Sequence, residues 1–300
     1  MDRCSGNGLP GPAGGDWDLR FKISDLKSVK GGCCDSFGVG PIMAVAALYW
    51  RQRNLFLNRK LDFDITPQPD DRTCGPACLH AVYRYYEDEV PLEEVVREVP
   101  QLPSGGTLAV LLALHALRRG YEATIYTCDL QMFDPSWFAP GALPMRERLI
   151  AQQRAKADPK LREAAQAYVE FLDQGGRVYL EEITVSLIEG ILAEQIPIIT
   201  GLSATWLYHC MRERPGDFKP DDAAGVPVGH FVVVHGMDRT ARLVSIADPY
   251  RHHPYPDSHF YEVHADRLIG AIMLGIMTYD AKLLVIRPKN GRWAEQPCRS

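Results

Sequence analysis

Apolar positions recur along the chain in two rhythms, separated by stretches with none. The first is helical. From Pro76, residues Cys78, Leu79, Val82, Tyr83 and Tyr86 recur at three- and four-residue steps and form one buried stripe. Pro76 sits in the first turn, where its missing N–H costs nothing. A short helix is predicted over 91–99. Ser104-Gly105-Gly106-Thr107 reads as a turn, with Thr107 as N-cap of a helix over 108–119. That helix is apolar almost all round and therefore interior, and Arg118-Arg119-Gly120 closes it. Two amphipathic stretches, 144–157 and 159–173, are broken at Asp158-Pro159. Thr184 caps a further helix running to Gln195.

The second rhythm is that of strands. Leu61-Asp62-Phe63-Asp64-Ile65 alternates apolar and acidic residues, the pattern of a half-buried strand. Residues 121–127, 177–180, 196–202, 261–263 and 283–286 read as further strands, and 229–249 as strand, turn, strand. Between these segments the periodicity fades. Residues 1–40, with Gly-Pro and Gly-Gly pairs, read as a disordered tail, 41–60 as a short helix with a basic end, and 289–300 as a second tail. Residues 203–228 form a long polar loop with aromatic islands at Trp206 and Tyr208, and so long a loop is more often functional than accidental. Helices first and antiparallel strands later give an α+β class. We expect one domain over 41–288 with insertions at 129–176 and 203–228.

Composition narrows the function classes. The chain has 300 residues, 46% hydrophobic and 24% charged, with a formal net charge of -5. A mildly acidic chain without a basic stripe gives no support to nucleic-acid binding. Eight cysteines in this length are too few for a disulfide scaffold. The first forty residues lack a secretory pattern, and the apolar run 42–50 is far below the roughly 18 residues a membrane span needs. Reduced thiols in a cytoplasmic protein are expected. The vicinal Cys33-Cys34 pair has no other ligands near it in sequence and reads as tail thiols.

One thiol stands apart. Cys74 precedes a first-turn proline by two residues, so it lies at a helix N-terminus, whose partial positive charge favours a thiolate. A nucleophilic cysteine also needs a histidine to take and return a proton, and that histidine needs an orienting group. The segment 229–249 offers both. With its turn centred on Asp238-Arg239-Thr240, His230 and Asp248 each lie nine residues from Arg239 and face each other across the hairpin. His235 is an odd number of residues from His230 and faces the other side, as packing or surface. Gln68, held extended between Pro67 and Pro69, is placed to donate an amide N–H to an oxyanion beside the Cys74 backbone N–H. The bland alternatives are a buried core thiol at Cys74, core packing for Cys78, and a zinc site joining both to two ligands from the group His252, His253, His259 and His264. Cys128 and Cys210 belong to no motif.

Gln68, the Cys-Gly-Pro-Ala at 74–77, the Gly-His-Phe-Val-Val at 229–233 and the Ile-Ala-Asp-Pro at 246–249 together resemble the bacteriocin-processing, double-glycine-leader cysteine peptidases. The resemblance covers about 60–130 and 180–285. It implies a papain-like fold, N-terminal helices packed on a C-terminal antiparallel sheet, with Gln68 as oxyanion donor, Cys74 as nucleophile, His230 as base and Asp248 as orienter. It implies a peptide or amide substrate and neither cofactor nor metal, and it leaves partner proteins open. Members of that family often front an ATP-driven exporter, but no membrane span and no Gly-x-x-x-x-Gly-Lys loop occurs here. The chain resembles the stand-alone bacterial proteins carrying such a domain. Two classes remain, a thiol-dependent hydrolase (or acyl transferase using the same cysteine) and a non-catalytic peptide-binding module on the same fold.

Overall fold

A computed structural model describes residues 58–102, 105–255, 258–278 and 281–289, all within one compact unit of the chain. The expectations for 1–40, for a helix over 41–60, for Cys33-Cys34 and for the tail beyond 289 lie largely or wholly outside these residues.

Strand β1 (Asn58–Lys60) leads to helices α1 (Cys74–Tyr85), α2 (Leu92–Glu98) and α3 (Ala109–Arg118). Strand β2 (Tyr121–Thr127) follows, then a short 3-10 turn at Pro135–Phe138 and helices α4 (Met145–Ala155) and α5 (Pro159–Asp173). Next come β3 (Arg177–Leu180), α6 (Val185–Ala193), β4 (Ile198–Ser203), the one-turn helix α7 (Ala204–Tyr208) and the long strand β5 (Gly229–Asp238). Strands β6 (Leu243–Ala247) and β7 (Phe260–His264), helix α8 (Ala265–Leu274) and strand β8 (Lys282–Pro288) complete the order.

The strands form one sheet in the order β3-β2-β8-β4-β5-β6-β7, with β1 paired to β5 beyond the end of β4. The α+β class holds. The sheet is antiparallel except between β2 and β3, which pair in parallel and come from the first two-thirds of the chain. Helices also cover both faces. Val233, Phe231 and Leu284 join α1, α3 and α5 in one core, whereas the alternate residues Val232, Val234 and Leu283 join α6 and α8 in a second. A strand buried on both faces reads as an unbroken apolar run, which is why β5 carries Phe-Val-Val-Val instead of an alternating pattern.

Other local expectations need correction. Leu61 to Ile65 is not a strand: the ladder stops at Lys60, although Phe63 and Ile65 are buried and Asp62 and Asp64 exposed. Alternating burial needs only an extended chain over a core, not hydrogen-bonded partners. Thr107 is not the N-cap of α3. Leu108 holds that position, and the Thr107 hydroxyl donates to the Pro100 carbonyl. Helix α1 is buried from Cys74 through Tyr83, well beyond one stripe, because α3 and the sheet enclose it. The polar stretch 203–228 opens with a helical turn, capped by Ser203 Oγ on the Trp206 N–H. Helix α8 had no counterpart in the sequence reading. Thr184 does cap α6, accepting from the Leu187 N–H.

Candidate active site

The segment from Gln68 to Cys74 is a compact turn. The Thr73 hydroxyl donates to the Asp70 carbonyl at 3.2 Å, and the Asp70 carboxylate accepts the Arg72 N–H at 2.8 Å. The turn delivers Cys74 as the first residue of α1, with no acidic residue in the first helical turn to offset the helix dipole. Cys74 is 9% exposed, at the boundary between core and solvent. The glycine after it has a steric cause. A Cβ on Gly75 would lie 2.6 Å from Thr107 Cγ2 and 3.3 Å from a Leu112 methyl, so only glycine lets α1 begin against α3.

His230 lies near the start of β5, and its ring is within hydrogen-bonding reach of Cys74. Its Nε2 is 2.8 Å from Asp248 Oδ1. A carboxylate only accepts, so Nε2 carries the proton and Nδ1 is the nitrogen left for the thiol. The hairpin brings this pair together by a register other than the expected one. Asp238 pairs with Leu243, so the connection spans 239–242, and a bulge between Val234 and Gly236 leaves Val233 opposite Ala247. Continuing that register puts Asp248 opposite Val232. The longer turn and the bulge together shift the pairing by two positions, an even number, so His230 and Asp248 stay on one face as diagonal neighbours.

Asp248 is fully buried and receives four hydrogen bonds on its carboxylate. Oδ1 accepts from His230 and from the Tyr250 N–H at 2.9 Å, and Oδ2 accepts from the hydroxyls of Tyr208 and Tyr261, each at 2.6 Å. Its backbone is held as well, with its N–H on the His259 carbonyl and its carbonyl facing His259 Nδ1 at 2.7 Å. Burial alone would raise the Asp248 pKa, but the His230 charge and these side-chain bonds hold it below the ordinary carboxylate value. Burial likewise opposes the charged form of His230, and Asp248 and then Cys74 outweigh it, raising its pKa from 6.5 to about 10. Burial and the Asp248 charge raise the pKa values of Tyr208 and Tyr261, so both stay neutral donors.

Gln68 is tied to this centre through its backbone. Its N–H donates to the Pro249 carbonyl at 2.9 Å, one residue beyond Asp248. Its side-chain Nε2 donates to the Asp70 carbonyl at 2.7 Å, and its Oε1 is buried without a hydrogen-bond partner. The amide nitrogen carries a second hydrogen for another acceptor.

The remaining thiols and histidines have other roles. Cys78 is fully buried with its thiol on the Phe231 carbonyl at 3.3 Å, and burial, Cys74 and Asp248 raise its pKa well above the usual thiol value. It is a core thiol. His235 sits in the bulge, stacked on Phe63 and edge-on to Phe260, as packing. The histidines considered as zinc partners are engaged singly: His252 against Tyr250, His253 among Tyr208 and Tyr261, His259 on Asp248, and His264 as cap of α8. The sequence reading missed Tyr208, Tyr261 and the Tyr250 N–H as partners of Asp248. Tyr208 carried a signal as an aromatic island in a polar loop; Tyr261 carried none, since a tyrosine in a strand is ordinary.

Among solved structures the chain is similar to a double glycine motif protease from an AMS/PCAT transporter in complex with the leader peptide (15% identity, 77% of this chain and 95% of that chain covered, TM-score 0.38). It is similar to the peptidase domain of Streptococcus ComA, a bifunctional ABC transporter of a quorum-sensing pathway (16%, 77% and 99%, 0.36). It is also similar to xylellain, a cysteine protease from Xylella fastidiosa (16%, 78% and 87%, 0.39). No curated protein gave a significant match. Among the described residues no helix is long and apolar enough to cross a membrane. The family comparison matches residues 60–266, from the end of β1 into the first turn of α8, and on that match the chain belongs to the Peptidase_C39 like family.

Proposed function

We propose that the chain is a thiol-dependent hydrolase of a peptide or related amide bond, working through Cys74, His230 and Asp248. One arrangement carries this reading: a thiol at a helix N-terminus within reach of a histidine whose far nitrogen is bonded to a buried carboxylate. His230 takes the Cys74 proton, and the thiolate attacks the substrate carbonyl carbon. The Cys74 N–H and the second Gln68 amide hydrogen stabilise the oxyanion. The tetrahedral adduct collapses, and the C–N bond breaks as His230 gives its proton to the departing amine. Water, deprotonated by His230, then attacks the thioester, and the acid leaves as the Cys74 sulfur is released. Throughout, Asp248 holds the imidazole in the tautomer with hydrogen on Nε2.

The test compares wild type with Cys74→Ala on a peptide library and with a thiol-directed active-site probe. Wild type is expected to turn over and label at Cys74, and the variant to lose turnover by roughly four orders of magnitude or more. Equal turnover by the variant would refute the assignment. Wild-type peptide binding without turnover would instead make the chain a binding module.

A further inference from the structure

The two tyrosine hydroxyls on Asp248 Oδ2 come from elements far apart in sequence. Tyr208 ends the one-turn helix α7, at the base of the 203–228 segment, and Tyr261 lies in β7. That base is fastened beside His230: the Ala204 N–H donates to the Val228 carbonyl at 2.9 Å, and the Val228 N–H donates to Thr205 Oγ1 at 3.0 Å. Farther along the segment, the Phe218 ring lies under the Arg72 guanidinium at 5.9 Å, two residues before Cys74. One segment therefore reaches both the carboxylate and the approach to the thiol.

We propose that Tyr208 and Tyr261 are positioning residues, whose hydroxyls keep Asp248 ionised and aimed at His230, with Tyr208 joining the 203–228 segment to that ion pair. The inference rests on the reading of Cys74, His230 and Asp248 as the reacting set. A buried carboxylate with an unfilled lone pair is a weaker partner for an imidazolium, because burial favours its neutral form. Filling Oδ2 with two neutral donors leaves Oδ1 to His230 and the Tyr250 N–H. The other groups facing this carboxylate are Cys74, of the reacting set itself, and the neutral Cys78 from α1; from the 249–259 connection come His253, whose pKa is lowered by burial, and the phenols of Tyr250 and Tyr255. His259 faces the Asp248 carbonyl oxygen.

The test reads His230 without relying on a peptide substrate. Iodoacetate is an anion drawn to a thiolate beside an imidazolium, so its rate at Cys74 falls once His230 loses its proton. The rate is followed against pH on the Cys74-containing peptide by mass spectrometry. In Tyr208→Phe and in Tyr261→Phe the basic limb is expected to move down by about one pH unit. Where turnover is measurable, kcat falls about tenfold with KM unchanged. Tyr255→Phe is the control: it removes a hydroxyl from the same aromatic cluster, one that donates to the Leu207 carbonyl and not to Asp248. Should Tyr208→Phe fail to fold, Tyr261→Phe, from a different element, carries the test. A limb present in wild type that stays in place in the folded variants overturns the inference alone, as does an equal shift in Tyr255→Phe. A wild type with no basic limb overturns the ion pair and this inference together. A shift in the variants with no peptide turnover by wild type keeps the inference and removes the hydrolase reading.

Discussion

Two cysteines one helical turn apart have different surroundings. Cys74 stands at the open end of α1 beside His230; Cys78 is closed in by Phe231 and the core. Burial keeps Cys78 neutral, so it is neither nucleophile nor ligand. Cys78→Ala is therefore expected to leave thiol-probe labelling of Cys74 unchanged while lowering stability by about 1 kcal/mol, measured as a reduced urea midpoint. Loss of Cys74 labelling in the folded variant would show that Cys78 takes part in the site. The Cys-Gly-Pro-Ala string singled out Cys74 as the candidate nucleophile because a helix start is visible in sequence. The tyrosines on Asp248 were not visible, since nothing local distinguishes a tyrosine that donates to a distant carboxylate from one that packs.

At the scale of elements, the start of α1 and the β5–β6 hairpin place the site. Gly75 is there because Thr107 and Leu112 occupy the volume of any side chain. Gly75→Ala is expected to destabilise the protein by about 1–3 kcal/mol, seen as a lower thermal midpoint, and to slow probe labelling at Cys74 as α1 is pushed off α3. An unchanged midpoint would mean that Thr107 yields freely. The hairpin shows why a face can be legible where a register is not. Side chains alternate with a period of two, so any even slip keeps His230 and Asp248 on one face, and the longer turn and the bulge at His235 add up to an even slip. Turn length and bulges depend on what each strand pairs with. Here β4 and β1 divide one edge of β5 between them, ending and beginning on either side of His235.

Across the whole molecule the His230–Asp248 pair links stability to pH, and its two members act at opposite ends of the scale. Asp248 is held below its ordinary 3.8, so its contribution is present above that value and fades as pH falls below it. His230 is raised from 6.5 to about 10, so its contribution is complete below 6.5 and fades as pH rises through that window. The difference in thermal midpoint between wild type and Asp248→Asn is expected to be largest between about pH 4 and pH 6.5 and to shrink on either side. A difference independent of pH would mean that the pair is not ionised in the folded protein.

The sequence by itself determined most helices and strands, the α+β class and four site candidates. These follow from local causes: periodicity, capping, proline and glycine geometry, and the chemistry a thiol requires. Tertiary structure alone decided what depends on partners distant in the chain. It buried α1 from Cys74 through Tyr83, turned β3 parallel to β2, gave the sheet a second layer with α8, and ended the ladder at Lys60. It also brought Tyr208 and Tyr261 onto one oxygen of Asp248, across 40 and 13 residues of sequence. Such a contact is set by how layers pack, and no residue's own preference encodes it.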